Sequence, residues 1–453
     1  MKRKAFLVVL SLLFLFSAAY LGFCTKGEEE KGAAVEKKAP VKMEEITVQM
    51  WAGPESRAML EAVNVWNEKY AEDLGINVSL ITIGRVGYPE KITSQLMSGV
   101  DKPDLIQVFS LQTGSMYPYL EVLNEYFESE HFSSPDGTPY QVGEMIPATL
   151  DSGKVEGKQY TIPTDVSWHL IFYRKDLMDL KANPIETYEE FVPFAKKFVK
   201  SMNPDSKTPY ATITIGKLVW YNTALYLQTL WSYGGSMFKE GSMEPAFDTE
   251  AAMKAGKFLN DLGRSGVMLP DFENAEFPET VAAFQNEQIA FAIFWNAMLP
   301  MLNDCEQSPK VCDKIDIVEV PGAKMPDGSI QKYSYIHCIN LGLNKNSKLK
   351  DKAVKFLSWA TFGEGSHIYA ENGGAPPVYS VFTGPDAVEP YKSGAEWIAK
   401  YGRAAYPFAD LQPYLELMKN YCQRLMLEPD YKKIMAELQK ASTDFMKERG
   451  YLD

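Results

Sequence analysis

The sequence predicts an α/β protein built from two lobes. Strand-like alternation at 46–51, 76–83 and 103–108 is interrupted by helical spacing of apolar residues at 55–70 and 88–98. The order strand, helix, strand, helix, strand is typical of a parallel sheet with crossover helices. A chain of 453 residues is also too long for one small core, so two lobes are expected.

The rest of the chain is predicted to be mostly helical, with a hairpin-like region after Pro321 and Gly322 and a loop at 373–377. Strands are expected at 160–163 and 170–173, around a loop, and at 289–294 and 315–320. Helices are expected at 188–202, 220–233, 249–265, 278–285, 351–361, 411–427 and 430–449.

The N-terminus has the layout of a bacterial secretory signal. Basic residues at 2–4 precede an apolar run at 5–16 and small residues at 17–19. The segment 1–24 resembles a lipoprotein signal, in which Cys24 is acylated and becomes the mature N-terminus, although Phe23 replaces the usual small residue. An uncleaved membrane anchor and cleavage elsewhere are the alternatives. All three place the body of the protein outside the cytoplasmic membrane.

Residues 25–42 are charged, small and free of aromatic side chains, which predicts a flexible tether. The formal net charge of the chain is −13. A surface this acidic repels nucleic acid and anionic lipid headgroups, so nucleic-acid binding is not expected.

Cysteine and histidine usage gives no metal site. Cys305 and Cys312 enclose a short loop and are either a disulfide, which we slightly favour, or two free thiols. Cys338 and Cys422 lie in apolar surroundings typical of a core. The four histidines are scattered along the chain, so zinc binding is not expected.

Motifs for catalysis or cofactor binding give no positive signal. No HExxH, GxSxG, Walker-type or GxGxxG sequence occurs. The SxxK pattern at 347–350 lacks its partner motifs and lies in a lysine-rich turn. We therefore expect neither an enzyme nor a cofactor.

Several short motifs occur in an order that resembles the sugar-binding class of extracellular solute-binding proteins, which serve bacterial ABC importers and include maltose-binding protein. The most specific are GKQYTIPTD at 157–165 and LIFYRKDL at 170–177, close to the family's GKxYGLPxD and LYYNKDL. Weaker matches are Met50-Trp51, GVDKPDLI at 99–106, ETYEEF at 186–191, and the segments 284–295 and 347–362.

This resemblance implies a type II periplasmic-binding-protein fold: two α/β lobes, each a mixed sheet flanked by helices, with a ligand cleft between them. One lobe would hold 43–160 and 321–362, and the other 161–320 and 363–453. The resemblance also implies a monomeric receptor that closes on a sugar or oligosaccharide and delivers it to a membrane permease.

Sugar sites combine flat aromatic faces with short polar groups for the hydroxyls. By its resemblance to the family, this chain carries such side chains where ligand contacts are expected. They are Trp51, Glu55, Ser110, Gln112, Asp165, Trp168, Trp231, Trp295, Asn296, His337 and Arg403.

Some of these residues have a structural alternative. Trp231 has helical spacing typical of a core, and Glu55 suits the acidic first turn of a helix. Arg403 fits an ion pair slightly better than a ligand contact, whereas Asp165 and Trp295 favour ligand contact because they follow strands. His337 and Cys338 fill a position where the family often has glycines, so a remodelled pocket is expected.

Two alternative functions remain open. The same class of receptor could bind a polyamine, a peptide or another cation through Asp165, Glu55 and aromatic walls. A secreted glycan-cleaving enzyme is a remote alternative, since paired acids meet only in space.

Overall fold

The computed structural model describes residues 42–84, 87–385, 387 and 389–453. The predicted signal, Cys24 and the tether up to Val41 lie outside these residues. Its strands are β1 (Glu44–Trp51), β2 (Ile76–Ile83), β3 (Leu105–Phe109), β4 (Lys154–Val155), β5 (Lys158–Gln159), β6 (Thr161–Arg174), β7 (Phe291–Trp295), β8 (Ile315–Val318), β9 (Ala323–Lys324), β10 (Ile330–Gln331), β11 (Ser334–Leu343) and β12 (Gly402–Arg403).

Its helices are α1 (Pro54–Lys69), α2 (Ala71–Leu74), α3 (Tyr88–Met97), α4 (Thr113–Met116), α5 (Pro147–Asp151), α6 (Tyr188–Ala195), α7 (Thr223–Ser232), α8 (Glu250–Arg264), α9 (Phe277–Gln285), α10 (Met298–Asn303), α11 (Lys350–Phe362), α12 (Glu364–Glu371), α13 (Tyr379–Phe382), α14 (Tyr391–Tyr401), α15 (Leu411–Leu427) and α16 (Tyr431–Glu448). Among the described residues, no helix combines the length and the apolar character that crossing a bilayer requires.

One mixed sheet runs through the molecule in the order β2-β1-β3-β11-β6-β7, with β12 beside β11 and β8 beside β6. The first three strands are parallel, as the strand and helix alternation predicts. β11 then pairs antiparallel with both β3 and β6, and β6 pairs antiparallel with β7 and β8. The α/β fold class is confirmed, and the sheet is mixed.

The prediction of two strands around a loop at 160–173 is wrong, because β6 is one strand of 14 residues. Its middle is paired with β11, where Val166 opposes Cys338 and Trp168 opposes Ile336. These four side chains are buried. A buried backbone needs hydrogen-bond partners, and the ladder to β11 supplies them where a loop would not.

Helix α6 ends earlier than predicted, at Ala195, and continues only as a 3-10 turn to Phe198. Pro193 inside the helix removes one backbone donor and crowds the preceding turn, which explains the early end. The segment predicted as a helix from 220 begins with a 3-10 turn before α7. The other predicted helices agree with the structure to within two residues at each end.

In the first lobe, α1 and α11 pack on one face of β1. Trp66 and Trp359 are both fully buried, with ring centroids 5.2 Å apart, and the Trp66 indole N–H donates to the Ile76 carbonyl at 2.9 Å. Tyr70 of the same region donates its hydroxyl to Glu364 at the start of α12. The predicted lobe boundaries at 160/161, 320/321 and 362/363 stay predictions. Helix α12, which follows the last of these boundaries, packs beside α1.

The second lobe packs α7, α8, α15 and α16 around the part of the sheet formed by β6, β7 and β8. Asn260 of α8 donates to the carbonyls of Leu425 and Glu428, at 2.7 and 2.6 Å. These carbonyls lie at the end of α15, where a helix leaves its acceptors unsatisfied, so the buried amide fixes the two helices together.

Three chain segments pass between the lobes. β6 contributes Ile162 to the core of the first lobe and Leu170 to the core of the second, and β11 likewise belongs to both. The third segment is 374–378, where the Val166 N–H donates to the Ala375 carbonyl at 2.9 Å. We refer to residues 163–168, 336–340 and 374–378 as the crossing segments.

The structure joins Cys305 and Cys312 in a disulfide, with Cα atoms 5.0 Å apart. Neither sulfur is then a thiolate that could bind a metal. Cys338 and Cys422 are free thiols buried in the core. Burial raises the pKa of the Cys338 thiol to about 12, so this thiol is protonated and unreactive at neutral pH.

Candidate functional site

The end of β1 and the first turn of α1 bring Trp51 and Glu55 together. The Trp51 indole N–H donates to Glu55 Oε2 at 3.0 Å, four residues further along the chain. The Trp51 ring lies 4.4 Å from the ring of Phe109, measured between centroids. Both Trp51 and Glu55 are half-buried, so they offer an aromatic face beside a carboxylate.

His337 of β11 lies between aromatic rings from two different parts of the chain. Its ring stacks on Phe109 at 5.7 Å with 19° between planes, and Trp220 lies 5.1 Å away. Ser110 Oγ lies 3.2 Å from His337 Nδ1 and accepts the Cys338 N–H at the same distance. We call Trp51, Phe109, His337 and Trp220 the aromatic cluster.

Polar side chains join the end of β3 to α15. Gln112 donates its side-chain N–H to the side-chain oxygen of Gln412 at 3.1 Å. Asn222, two residues after Trp220, donates to the Lys419 carbonyl at 3.1 Å on the same helix. The aromatic cluster is therefore flanked by α15, which packs against both the 3-10 turn after β3 and the turn at Trp220.

Asp165 lies in a crossing segment and is almost fully buried. Its Oδ2 accepts the Ala375 N–H at 2.8 Å and the Tyr369 hydroxyl at 3.1 Å. Burial raises the pKa of Asp165 to about 7, and the nearby Glu55 carboxylate adds to this shift. Asp165 thus supports the third crossing segment as well as lying near Glu55.

Trp168 and Asn296 support the site from within the core. Trp168 is fully buried and packs on Phe382 and Tyr391, with ring centroids 5.8 and 6.4 Å away. Asn296 accepts the Trp168 backbone N–H on its side-chain oxygen at 3.0 Å and donates its own backbone N–H to the Trp168 carbonyl at 2.9 Å. Both side chains are engaged with protein rather than with open space.

Trp295 and Trp231 both pack on Tyr335 of β11. The Trp231 ring is parallel to Tyr335 at 5.6 Å and the Trp295 ring is edge-on at 5.9 Å. Trp231 is 2% exposed, as expected for a core position, and Trp295 is 8% exposed. Arg403 lies 4.9 Å above the Trp231 ring, so it belongs to this group rather than to the aromatic cluster.

Beneath Trp295 a buried histidine completes the packing. The His169 ring lies 4.2 Å from Trp295, and His169 Nδ1 is 2.7 Å from the side-chain oxygen of Gln228. Burial lowers the pKa of His169 to about 4, so the ring is neutral at physiological pH. The neutral ring keeps this wall of the second lobe uncharged.

The structure therefore brings together Trp51, Glu55, Ser110 and His337, with Gln112 and Asp165 at the edges of the group. Trp168, Trp231, Trp295 and Asn296 are buried in packing. Sequence reasoning missed Phe109 and Trp220. The signal for Trp220 was its position beside Tyr221 at a helix start, because two adjacent aromatic residues there cannot both face one core.

Comparison with protein families decides the identity of this chain. The family model for bacterial extracellular solute-binding proteins matches residues 66–395. The chain belongs to this family. Members of this family bind solutes outside the cell, in agreement with the two-lobed fold and with the resemblance in the sequence motifs.

Curated relatives of this solute-binding protein share about a quarter of its sequence. A mannitol-binding protein of Pseudomonas aeruginosa is 25% identical over 243 residues, which are 53% of this chain and 53% of the relative. The chain therefore aligns with only about half the length of that relative. A probable amino-acid ABC transporter periplasmic-binding protein of Sinorhizobium fredii is 24% identical over 409 residues, 87% of this chain and 88% of the relative.

Solved structures share its fold. The sugar-binding protein MalE of Xanthomonas citri has a TM-score of 0.73 at 18% identity, covering 90% of this chain and 98% of its own. Maltose-bound T. maritima MalE3 has a TM-score of 0.70 at 21% identity, covering 88% and 99%. A solute-binding protein of Agrobacterium vitis with bound D-mannitol has a TM-score of 0.66 at 19% identity, covering 90% of this chain and 100% of its own. The two-lobed fold with a cleft between the lobes is thus confirmed.

Proposed function

We propose that this solute-binding protein captures a sugar, a sugar alcohol or an oligosaccharide at the aromatic cluster and delivers it to the permease of an ABC importer. The observation that carries the proposal is the position of His337. This residue of a crossing segment touches Phe109 from the end of β3 and Trp220 from the 3-10 turn before α7. A ligand held against these rings contacts both lobes at once.

Carbohydrates suit this site because their C–H faces pack on aromatic rings while their hydroxyls need short polar partners. Trp51 and Trp220 supply half-buried faces, and Glu55 and Ser110 supply polar atoms beside them. The ligands named for related structures, maltose and D-mannitol, support this class. Closure of the lobes is then a shift of the conformational equilibrium toward the state in which the ligand contacts both lobes.

A cationic solute is the second candidate, and Glu55 favours it. The carboxylate accepts the Trp51 indole N–H, and no lysine or arginine among the described residues lies within ion-pair distance of it. A carboxylate without a basic partner next to an aromatic face is a suitable site for an ammonium group. An amino acid or a polyamine therefore belongs in the same binding panel.

We propose that the protein is anchored outside the cytoplasmic membrane through acylated Cys24 and acts as a monomer without bond chemistry. The family description supports the extracellular location, and the lipoprotein-like signal supports the anchor. Mass spectrometry of the mature N-terminus tests it. A diacylated Cys24 is expected, and an unmodified N-terminus at another residue would contradict the anchor.

The experiment for the ligand is thermal melting of residues 43–453 against sugars, sugar alcohols, amino acids and polyamines, followed by calorimetric titration of each hit. A ligand that binds the folded state raises the melting temperature by mass action. Trp220→Ala should weaken binding tenfold or more through loss of its aromatic face.

Tyr431→Ala is the matched control, because Tyr431 is a partly buried aromatic residue that starts α16, beyond the far end of α15. It should leave the affinity unchanged. Equal affinity in Trp220→Ala and the unmodified protein would refute the site, and a hit confined to cations would replace the carbohydrate.

A further inference from the structure

A second concave site lies at the edge of the sheet beside β12. It has a volume of about 280 Å³ and is lined by residues of α5, the end of α7 and the segment 402–407. None of the four residues of the aromatic cluster lines it. Whatever occupies this pocket therefore makes contacts other than those of the proposed sugar site.

Arg403 is the cationic group of this pocket, whose lining also includes Asp151, and it is held in place by aromatic rings. β12 pairs with β11 so that Arg403 opposes Tyr335, on which Trp231 stacks. The Arg403 guanidinium lies 4.9 Å from the Trp231 ring centroid and 5.2 Å from that of Tyr333. Stacking on aromatic faces restricts the planar guanidinium and leaves its N–H groups to other partners.

The charge of Arg403 has no carboxylate partner among the described residues. Burial lowers the pKa of Arg403, and only the Tyr333 hydroxyl opposes this effect. Asp151, which lines the same pocket, forms its ion pair with Lys154 and not with Arg403. In a chain with net charge −13, a half-buried cation without an ion-pair partner costs stability unless something else compensates the charge.

We propose that this pocket binds a small solute through a carboxylate group, with Arg403 as the charge partner. A guanidinium presents paired N–H donors that match the two oxygens of a carboxylate. Tyr406, which is 60% exposed on the rim, offers an aromatic face to the rest of the solute. A volume of about 280 Å³ accommodates a small organic acid.

Calorimetric titration of residues 43–453 with matched probes tests this. Gluconate and sorbitol share a six-carbon chain, and only gluconate carries a carboxylate. Benzoate and benzamide share an aromatic ring, and only benzoate carries a carboxylate. At least one carboxylate is expected to bind tenfold or more tightly than its neutral partner. Equal binding within both pairs, or tighter binding of inorganic phosphate than of either carboxylate, would overturn the assignment.

Arg403→Met, which retains packing on Trp231 without the charge, should reduce carboxylate affinity at least tenfold. Tyr406→Ala changes an exposed side chain and should weaken binding about threefold while the protein remains folded. Unchanged affinity in Tyr406→Ala, or in a folded Arg403→Met, would overturn the proposal. Trp220→Ala should leave carboxylate binding intact; its loss there would place the carboxylate in the sugar site instead.

Discussion

The Ala375 backbone N–H donates to Asp165 Oδ2 at 2.8 Å, so a buried acid on one crossing segment holds another crossing segment in position. The same oxygen accepts the Tyr369 hydroxyl. Asp165 was expected to contact ligand because it follows a predicted strand. Its contacts show a part in joining the crossing segments, and direct contact with ligand stays a prediction.

Asp165→Asn should change how stability depends on pH. The folded-state pKa of Asp165 is raised from 3.8 to about 7, so its contribution to stability is fully present below about pH 4 and is lost as the pH rises through 7. At about 1.4 kcal/mol per pKa unit, the loss in the free energy of unfolding is at most about 4 kcal/mol. As the pH rises from 5 to 8, urea unfolding should show the variant gaining stability relative to the unmodified protein.

Asp151→Asn, at an exposed acid, serves as the control and should follow the unmodified profile. Parallel profiles for Asp165→Asn and the unmodified protein would show that Asp165 keeps the same proton affinity when the chain unfolds.

His169→Gln should have the opposite effect in acid. The pKa of His169 is lowered from 6.5 to about 4. Its contribution to the free energy of unfolding is therefore present above about pH 6.5 and is lost as the pH falls toward 4. The variant should therefore resist acid unfolding better, by up to about 3 kcal/mol across that range, whatever constant loss of packing it carries. His367→Gln, at an exposed position, is the control, and an equal acid slope in both variants would contradict the prediction.

Gln412→Ala should weaken ligand binding with little effect on stability. The Gln112–Gln412 hydrogen bond joins the end of β3 to α15, and removing about 1 kcal/mol from the closed state raises the ligand Kd about fivefold. Gln423→Ala on the same helix removes a bond to Gly216 within the second lobe instead. Calorimetry should find an affinity loss in Gln412→Ala alone, and equal losses would mean that the effect is not one of lobe contact.

Gly394→Ala should destabilise the protein by about 1–3 kcal/mol through overpacking. A Cβ atom at this position of α14 would lie 2.6 Å from the Trp168 ring. Gly143→Ala is the control, because nothing lies within 4 Å of the corresponding Cβ. Denaturant unfolding measures both, and a stable Gly394→Ala would show that Trp168 can move.

Most of the fold could be predicted from local patterns. The alternation at 46–108 gives the parallel strands, and the helical spacing at 411–427 gives α15 with its bounds. The continuity of β6 could not be predicted, since Val166 and Trp168 acquire their partners from β11, more than 160 residues later. A strand whose middle is stabilised by distant pairing has no local signal that separates it from a loop.

Only part of the candidate site could be predicted from the sequence. Trp51, Glu55 and Ser110 meet because the parallel strands β1 and β3 end at one edge of the sheet, which the sequence order implies. His337 joins them from the middle of the antiparallel strand β11. Trp168 and Asn296 were also expected to contact ligand, but both side chains are buried in the core. Which aromatic residue packs and which faces a cleft depends on helices α13 and α14, whose positions no motif indicates.

The three crossing segments have a consequence for experiments on separate lobes. Because β6 and β11 carry one hydrogen-bond ladder through both cores, neither lobe corresponds to one uninterrupted stretch of chain. No cut at a single position therefore separates one complete lobe from the other. The lobes should accordingly lose their structure in one cooperative step, even though each has an interior of its own.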